Sequence, residues 1–129
     1  MVTIERTYAP GACNISKEEE ARRLASGWIG VAITVVLAAV LWFLGAPAVW
    51  RLTLFFPAAL AASGFLQASM HFCAGYGMKG VFNVGAEVGK TQAVEQAEFA
   101  SQDRAKAGQI LGLALACGVG VAVLALILP

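Results

Sequence analysis

Three apolar stretches, Gly27 to Ala46, Leu52 to about Ala74 and Gly108 to Leu128, each reach the length that crosses a hydrocarbon core. Crossing takes about 20 helical residues at about 1.5 Å each. Lipid offers backbone amides and carbonyls no partners, so stretches of this length must satisfy them internally, as helices. The composition agrees, with 59% hydrophobic and only 13% charged residues, where a soluble domain carries about a quarter charged. The sequence therefore predicts an all-α, polytopic integral membrane protein, a single domain over residues 1–129 with three crossing helices.

The segment ahead of the first span is too polar for a secretory signal, whose apolar core follows a short basic start, so nothing is expected to be cleaved. Ser16-Lys17-Glu18-Glu19 has the form of a capping box, which starts a helix at Lys17 and runs it through Arg22 and Arg23 into the bilayer as the unit 16–46. Pro10 and Gly11 make residues 1–15 an arm lying outside it. Positive charge is retained on the cytoplasmic side. Arg6, Lys17, Arg22 and Arg23 precede span one; Lys79, Lys90, Arg104 and Lys106 lie between spans two and three; Arg51 alone sits in the other connection. This bias places the N-terminus in the cytoplasm and the C-terminus outside a cell (inner) membrane. Aromatic residues mark both interfaces, Trp42, Trp50 and Phe55 on the outside and Trp28, Phe72 and Tyr76 on the inside. The short turn Gly45-Ala46-Pro47-Ala48 makes spans one (16–46) and two (52–74) an antiparallel hairpin.

Residues 75–107 read as a cytoplasmic Gly-rich loop followed by a charged helix from about Thr91 that continues as a stalk into span three, 108–128. Gly75-Tyr76-Gly77-Met78-Lys79-Gly80 matches the letters of a dinucleotide-binding turn, but that turn works only between a strand and a helix, and here it follows a membrane span. The glycines are read instead as a sharp turn at the bilayer surface.

Helices associate in lipid by close backbone approach at small residues. Gly108, Gly112, Ala116 and Gly120 form one such row in span three, and Ser26, Gly30, Thr34 and Ala38 form another in span one. Three helices bury little against one another, so the expected partners are lipid, further copies of the chain or subunits of a larger membrane complex. Near-neutral charge and the lack of a basic tract exclude nucleic acid.

Span two carries Ser63, Gln67 and His71 at four-residue spacing, hence on one helical face. An unpaired amide or imidazole in hydrocarbon is costly, so this polar stripe should face protein or water. Its inner end gathers soft ligands: Met70, His71, Cys73 and Met78, with Cys13 on the same side. Thiolate and imidazole suit a metal or a haem iron, which makes His71, Cys73 and Cys13 the candidate ligands, although the spacing matches no ligand signature. An interfacial Cys73 near cationic residues also suits thiol chemistry, while Cys117 reads as a small apolar filler. The acidic residues offer no catalytic pair and none lies inside a span, which argues against an enzyme acting alone and against a proton-coupled pump. Glu18 and Glu19 are spaced for surface ion pairs with Arg22 and Arg23.

Asn14-Ile15, the acidic then basic helix start through Arg22-Arg23, the two-span hairpin, Gly64-Phe65 and the following Cys73 resemble a small bacterial inner-membrane domain of unknown function that is also found joined to rhodanese domains. The likeness covers residues 14–85. The chain departs from that pattern in having Ala74 where the family has Pro and in adding a third span. The resemblance implies a sulfur- or thiol-related role with oligomeric helix packing, and Cys73 as the residue to carry over.

Two functional classes follow. One is a non-enzymatic membrane subunit or scaffold, without a cofactor, packing through its small-residue faces. The other is a cytoplasmic-face thiol, metal or haem centre built on Cys73, His71 and Cys13. A small transporter assembled from several copies, lined by the polar stripe, is a further alternative.

Overall fold

The computed structural model describes residues 7–85, 87 and 89–128. Among them, three helices are long and apolar enough to cross a membrane, residues 17–43, 48–70 and 97–127. The first six residues of the expected arm, Arg6 included, lie outside the described residues.

Helix α1 runs Lys17–Phe43. Ser16 caps it, its Oγ accepting the Glu19 amide at 3.3 Å. This is the first half of a capping box; the second half is not made, because the Ser16 amide donates to the Asn83 carbonyl instead, at 2.8 Å. At the far end Gly45 turns left-handed at φ 62°. The Ala46 amide then reaches the Leu41 carbonyl and the Gly45 amide that of Trp42, the bonding that closes helices through an αL residue.

The expected span two is built in two pieces. A 3₁₀ helix, Ala48–Leu54, leads into α2, Phe55–Met70. Pro57 falls in the first turn of α2, where its missing N–H would have had no intrahelical partner. The helix ends three residues earlier than about Ala74, at His71, which takes the left-handed conformation at φ 56°. Its amide and that of Phe72 close back on the Ala68 and Gln67 carbonyls, turning His71 outward and burying Phe72 completely.

Helix α2 lies between α1 and α4. Against α1 the contact is glycine on alanine and glycine. A Cβ on Gly30 would lie 2.6 Å from the Ala61 nitrogen, and one on Gly64 would lie 2.5 Å from the Gly27 nitrogen. The expected row on span one is thus used at Gly30, with Gly27 as the second contact.

The 75–107 segment departs from the expected loop. A short helix α3, Ala74–Lys79, is followed by two two-residue strands, β1 Val81–Phe82 and β2 Gln92–Ala93, paired antiparallel. Helix α4 spans Ala97–Ile127, so it starts six residues after Thr91 and continues without a break through the expected span. Its upper part is no free stalk: Asp103 and Ala107 are fully buried. Facing α2 and α3 is the row Asp103, Ala107, Ile110, Ala114, Gly118, Ala122 and Ala125. A small residue is required at Gly118, where a Cβ would meet the Phe55 ring at 2.8 Å. The row Gly108, Gly112, Ala116 and Gly120 points away; Cβ atoms on its three glycines would meet nothing within 4 Å.

At the end opposite α3, Arg51 lies 4.2 Å over the Trp42 ring and donates to the carbonyls of Ala125 and Leu128 at 3.0 and 2.6 Å. The lone cation of this connection therefore neutralises the negative end of α4.

Candidate functional site: a polar cap around Cys73

Cys73 is the residue before α3 and is 5% exposed. Asn14, fully buried, brackets its backbone: Asn14 Nδ2 donates to the Cys73 carbonyl at 3.1 Å and the Cys73 amide donates to Asn14 Oδ1 at 2.6 Å. The Asn14 main chain continues the link, its amide donating to the His71 carbonyl and its own carbonyl accepting from the Asn83 amide. A buried amide side chain with these partners fixes where the sulfur lies.

The sulfur meets a cation. Arg23, on the first turns of α1, places Nη2 3.0 Å from Cys73 Sγ. The same nitrogen stands 3.5 Å from Glu19 Oε2, and the guanidinium covers the Tyr76 ring at 5.5 Å. Glu19 is fully buried; its carboxylate also accepts from the Gly89 amide at 3.2 Å and lies 3.9 Å from Arg22. The Tyr76 phenol is pushed above its ordinary value, first by burial and then by its hydrogen bond to the Glu19 carboxylate, against an opposing pull from Arg23. It is held as a neutral donor. The Glu19 and Arg23 pair is therefore not the surface ion pair expected but part of a cluster in which Glu19 and Cys73 are buried and Arg23 and Tyr76 partly so.

Gln67 links this cluster to α2. Its Nε2 donates to Ser63 Oγ at 2.9 Å, and its Oε1 accepts the Ala74 amide at 2.9 Å, at the start of α3. The first two members of the polar stripe thus bond to each other and to α3. The third, His71, leaves the helix face and is exposed, with Nδ1 2.9 Å from Glu20 Oε1.

His71, Cys73 and Cys13 take separate partners. Cys13 Sγ donates to the Ile15 carbonyl. Among the described residues no three His, Cys, Asp or Glu side chains are grouped so as to hold a metal ion. Cys117 is a free thiol on the exposed side of α4. In the Gly75 to Gly80 run, Gly75 to Lys79 are helical; the helix presents Gly77 to α4, where a Cβ would lie 2.8 Å from the Phe72 ring and 2.9 Å from the Asp103 carbonyl. Of the run's glycines, Gly80 makes the left-handed turn that was expected, at φ 71°.

Five residues of the cap went unread in the sequence. Glu19 carried a signal, its place in the capping box, but not its burial. Asn14 stood only in the family resemblance, with nothing to mark its bonds to Cys73, and Asn83, Tyr8 and Asp103 carried no signal, because their partners are remote in the chain. Asp103 is fully buried and accepts from the Tyr8 hydroxyl at 2.6 Å and the Gly11 amide at 2.8 Å. Comparison with protein families, curated proteins and solved structures finds no match.

Proposed function

We propose that the chain is a multi-pass protein of a cell (inner) membrane, with its polar cap in the cytoplasm and its C-terminus outside, and that it carries a thiol centre at Cys73. The observation that carries this reading is the Arg23 guanidinium 3.0 Å from Cys73 Sγ. The thiolate is the nucleophilic form of cysteine, and a guanidinium stays charged throughout. Arg23 is therefore placed to neutralise the sulfur during attack. The reaction that suits such a group is exchange with a small disulfide: Cys73 Sγ bonds to one sulfur, the original S–S bond breaks, and the second sulfur leaves as a thiolate. The bias of eight of nine Lys and Arg to the cap side supports the orientation. The test uses purified protein in mild detergent with Cys13 and Cys117 replaced by Ser, treated with a chromogenic aromatic disulfide. Exchange at Cys73 should slow by about tenfold in Arg23→Met, the loss of one charged hydrogen bond, and recover in part in Arg23→Lys. Equal rates in all three would refute the reading.

A second reading, membership of an oligomer or larger complex as a subunit or scaffold, is favoured by the open glycine row. Gly108, Gly112 and Gly120 meet nothing within the chain, and such rows let membrane helices approach closely. Native mass spectrometry should show an assembly that Gly112→Leu breaks and that Leu111→Ala, an exposed position off the glycine row, does not; a monomeric parent protein rules this out.

A further inference from the structure

We infer that residues 7–16 form a strap that controls access to Cys73, with Asp103 of α4 as its latch; the inference rests on the thiol reading of Cys73. The strap has two halves held in different ways. The inner half, Asn14 to Ser16, is fully buried and lies directly on the Cys73 backbone through the Asn14 side chain. The outer half is only partly buried and is a tight turn, the Ala9 amide donating to the Cys13 carbonyl and the Cys13 amide to that of Ala9, both at 2.9 Å.

What fastens the outer half to the body is concentrated at one carboxylate. Tyr8 Oη and the Gly11 amide converge on the two oxygens of Asp103, and the Tyr8 ring stacks on Phe82 with centroids 4.4 Å apart. Gly11, at φ 67°, also lies against Gln102 of the same helix turn, where a Cβ would be in ordinary contact at 3.5 Å. A fully buried carboxylate must keep its donors or gain water. Lifting the outer half supplies water to Asp103, so the latch opens without leaving a stranded charge. The inner half, relieved of that anchor, can then withdraw Asn14 from the Cys73 backbone, which frees the turn that carries the sulfur beside Arg23, Glu19 and Tyr76. A thiol with 5% exposure reacts at a rate set by such openings.

The test measures alkylation of Cys73 by a small membrane-permeant maleimide, followed by intact mass, in the full chain with Cys13 and Cys117 replaced by Ser. Tyr8→Phe keeps the ring stack and removes one latch bond; Asp103→Asn weakens both. Each should raise the alkylation rate, by about tenfold for Tyr8→Phe, the weight of one charged hydrogen bond. Gly30→Ala is the control: it loosens the helix packing far from the strap. Rates unchanged by Tyr8→Phe and Asp103→Asn would overturn the strap, as would Gly30→Ala raising the rate as much as Tyr8→Phe at the same loss of melting temperature. Failure of the thiol reading looks different: unlatching speeds alkylation, but Arg23→Met leaves both the latched and the unlatched rates unchanged.

Discussion

Adding one methyl group at Gly30 or at Gly112 should move stability in opposite directions. At Gly30 the new Cβ would lie 2.6 Å from the Ala61 nitrogen and 2.8 Å from its Cα, where ordinary contact begins at 3.4 Å. These are backbone atoms, so no rotamer relieves the overlap and the two helices must separate by roughly 0.5–0.8 Å. A gap of that size forfeits a quarter to a half of each atomic contact worth about 0.1–0.2 kcal/mol, which over a few tens of atom pairs comes to about 2 kcal/mol. Relief of the glycine's helix penalty returns about 1 kcal/mol, leaving Gly30→Ala destabilised by about 1 kcal/mol. Gly112 has open space around it, so Gly112→Ala keeps the propensity gain and loses nothing within the chain. Reversible unfolding in mixed detergent micelles, followed by tryptophan emission, gives the two free energies. If Gly30→Ala proves as stable as Gly112→Ala, the close α1 and α2 crossing is wrong.

Two further outcomes follow from the ends of the molecule. The Tyr8 phenol is raised well above the ordinary value by burial and by its bond to the Asp103 carboxylate. A raised phenol binds its proton more tightly when folded, so the stability it adds is complete below about pH 10, the free phenol value, and fades as pH climbs through the folded one. Absorbance titration should find one phenol ionising later in the parent protein than in Asp103→Asn. At the other end, Arg51→Ala should free the last turn of α4 at a cost of about 1 kcal/mol; hydrogen exchange at residues 124–128 should quicken, and unchanged protection would count against the clamp.

The three long apolar helices were legible because hydrophobicity on that scale is a local property, read from about 20 consecutive side chains. So were the Ser16 cap and Gly30. The face of α4 was not. Gly and Ala occur all round that helix, so a four-residue spacing picks out Gly108 to Gly120 as readily as the row through Ala107, Ala114 and Gly118 that meets α2 and α3. Burial of Glu19 and Asp103 was illegible for another reason. A carboxylate goes inside only when donors await it, and those donors, Gly89 for one and Tyr8 and Gly11 for the other, are 70, 95 and 92 residues distant in the chain. The cation beside Cys73 was not legible either: the sequence offered His71 and Lys79 as its near neighbours, where the fold brings up Arg23, 50 residues away in the chain.

The seven residues wound as a 3₁₀ helix ahead of α2 change how far this segment reaches. At about 2.0 Å per residue they rise about 14 Å, where α-helical winding would give about 10.5 Å. Rewinding them would shorten the middle helix by about 3.5 Å, comparable with the thickness differences between natural bilayers. On the membrane placement proposed above, thickness adaptation would fall at the Trp42 and Arg51 end, and hydrogen exchange over residues 48–54 in thin and thick bilayers would register it.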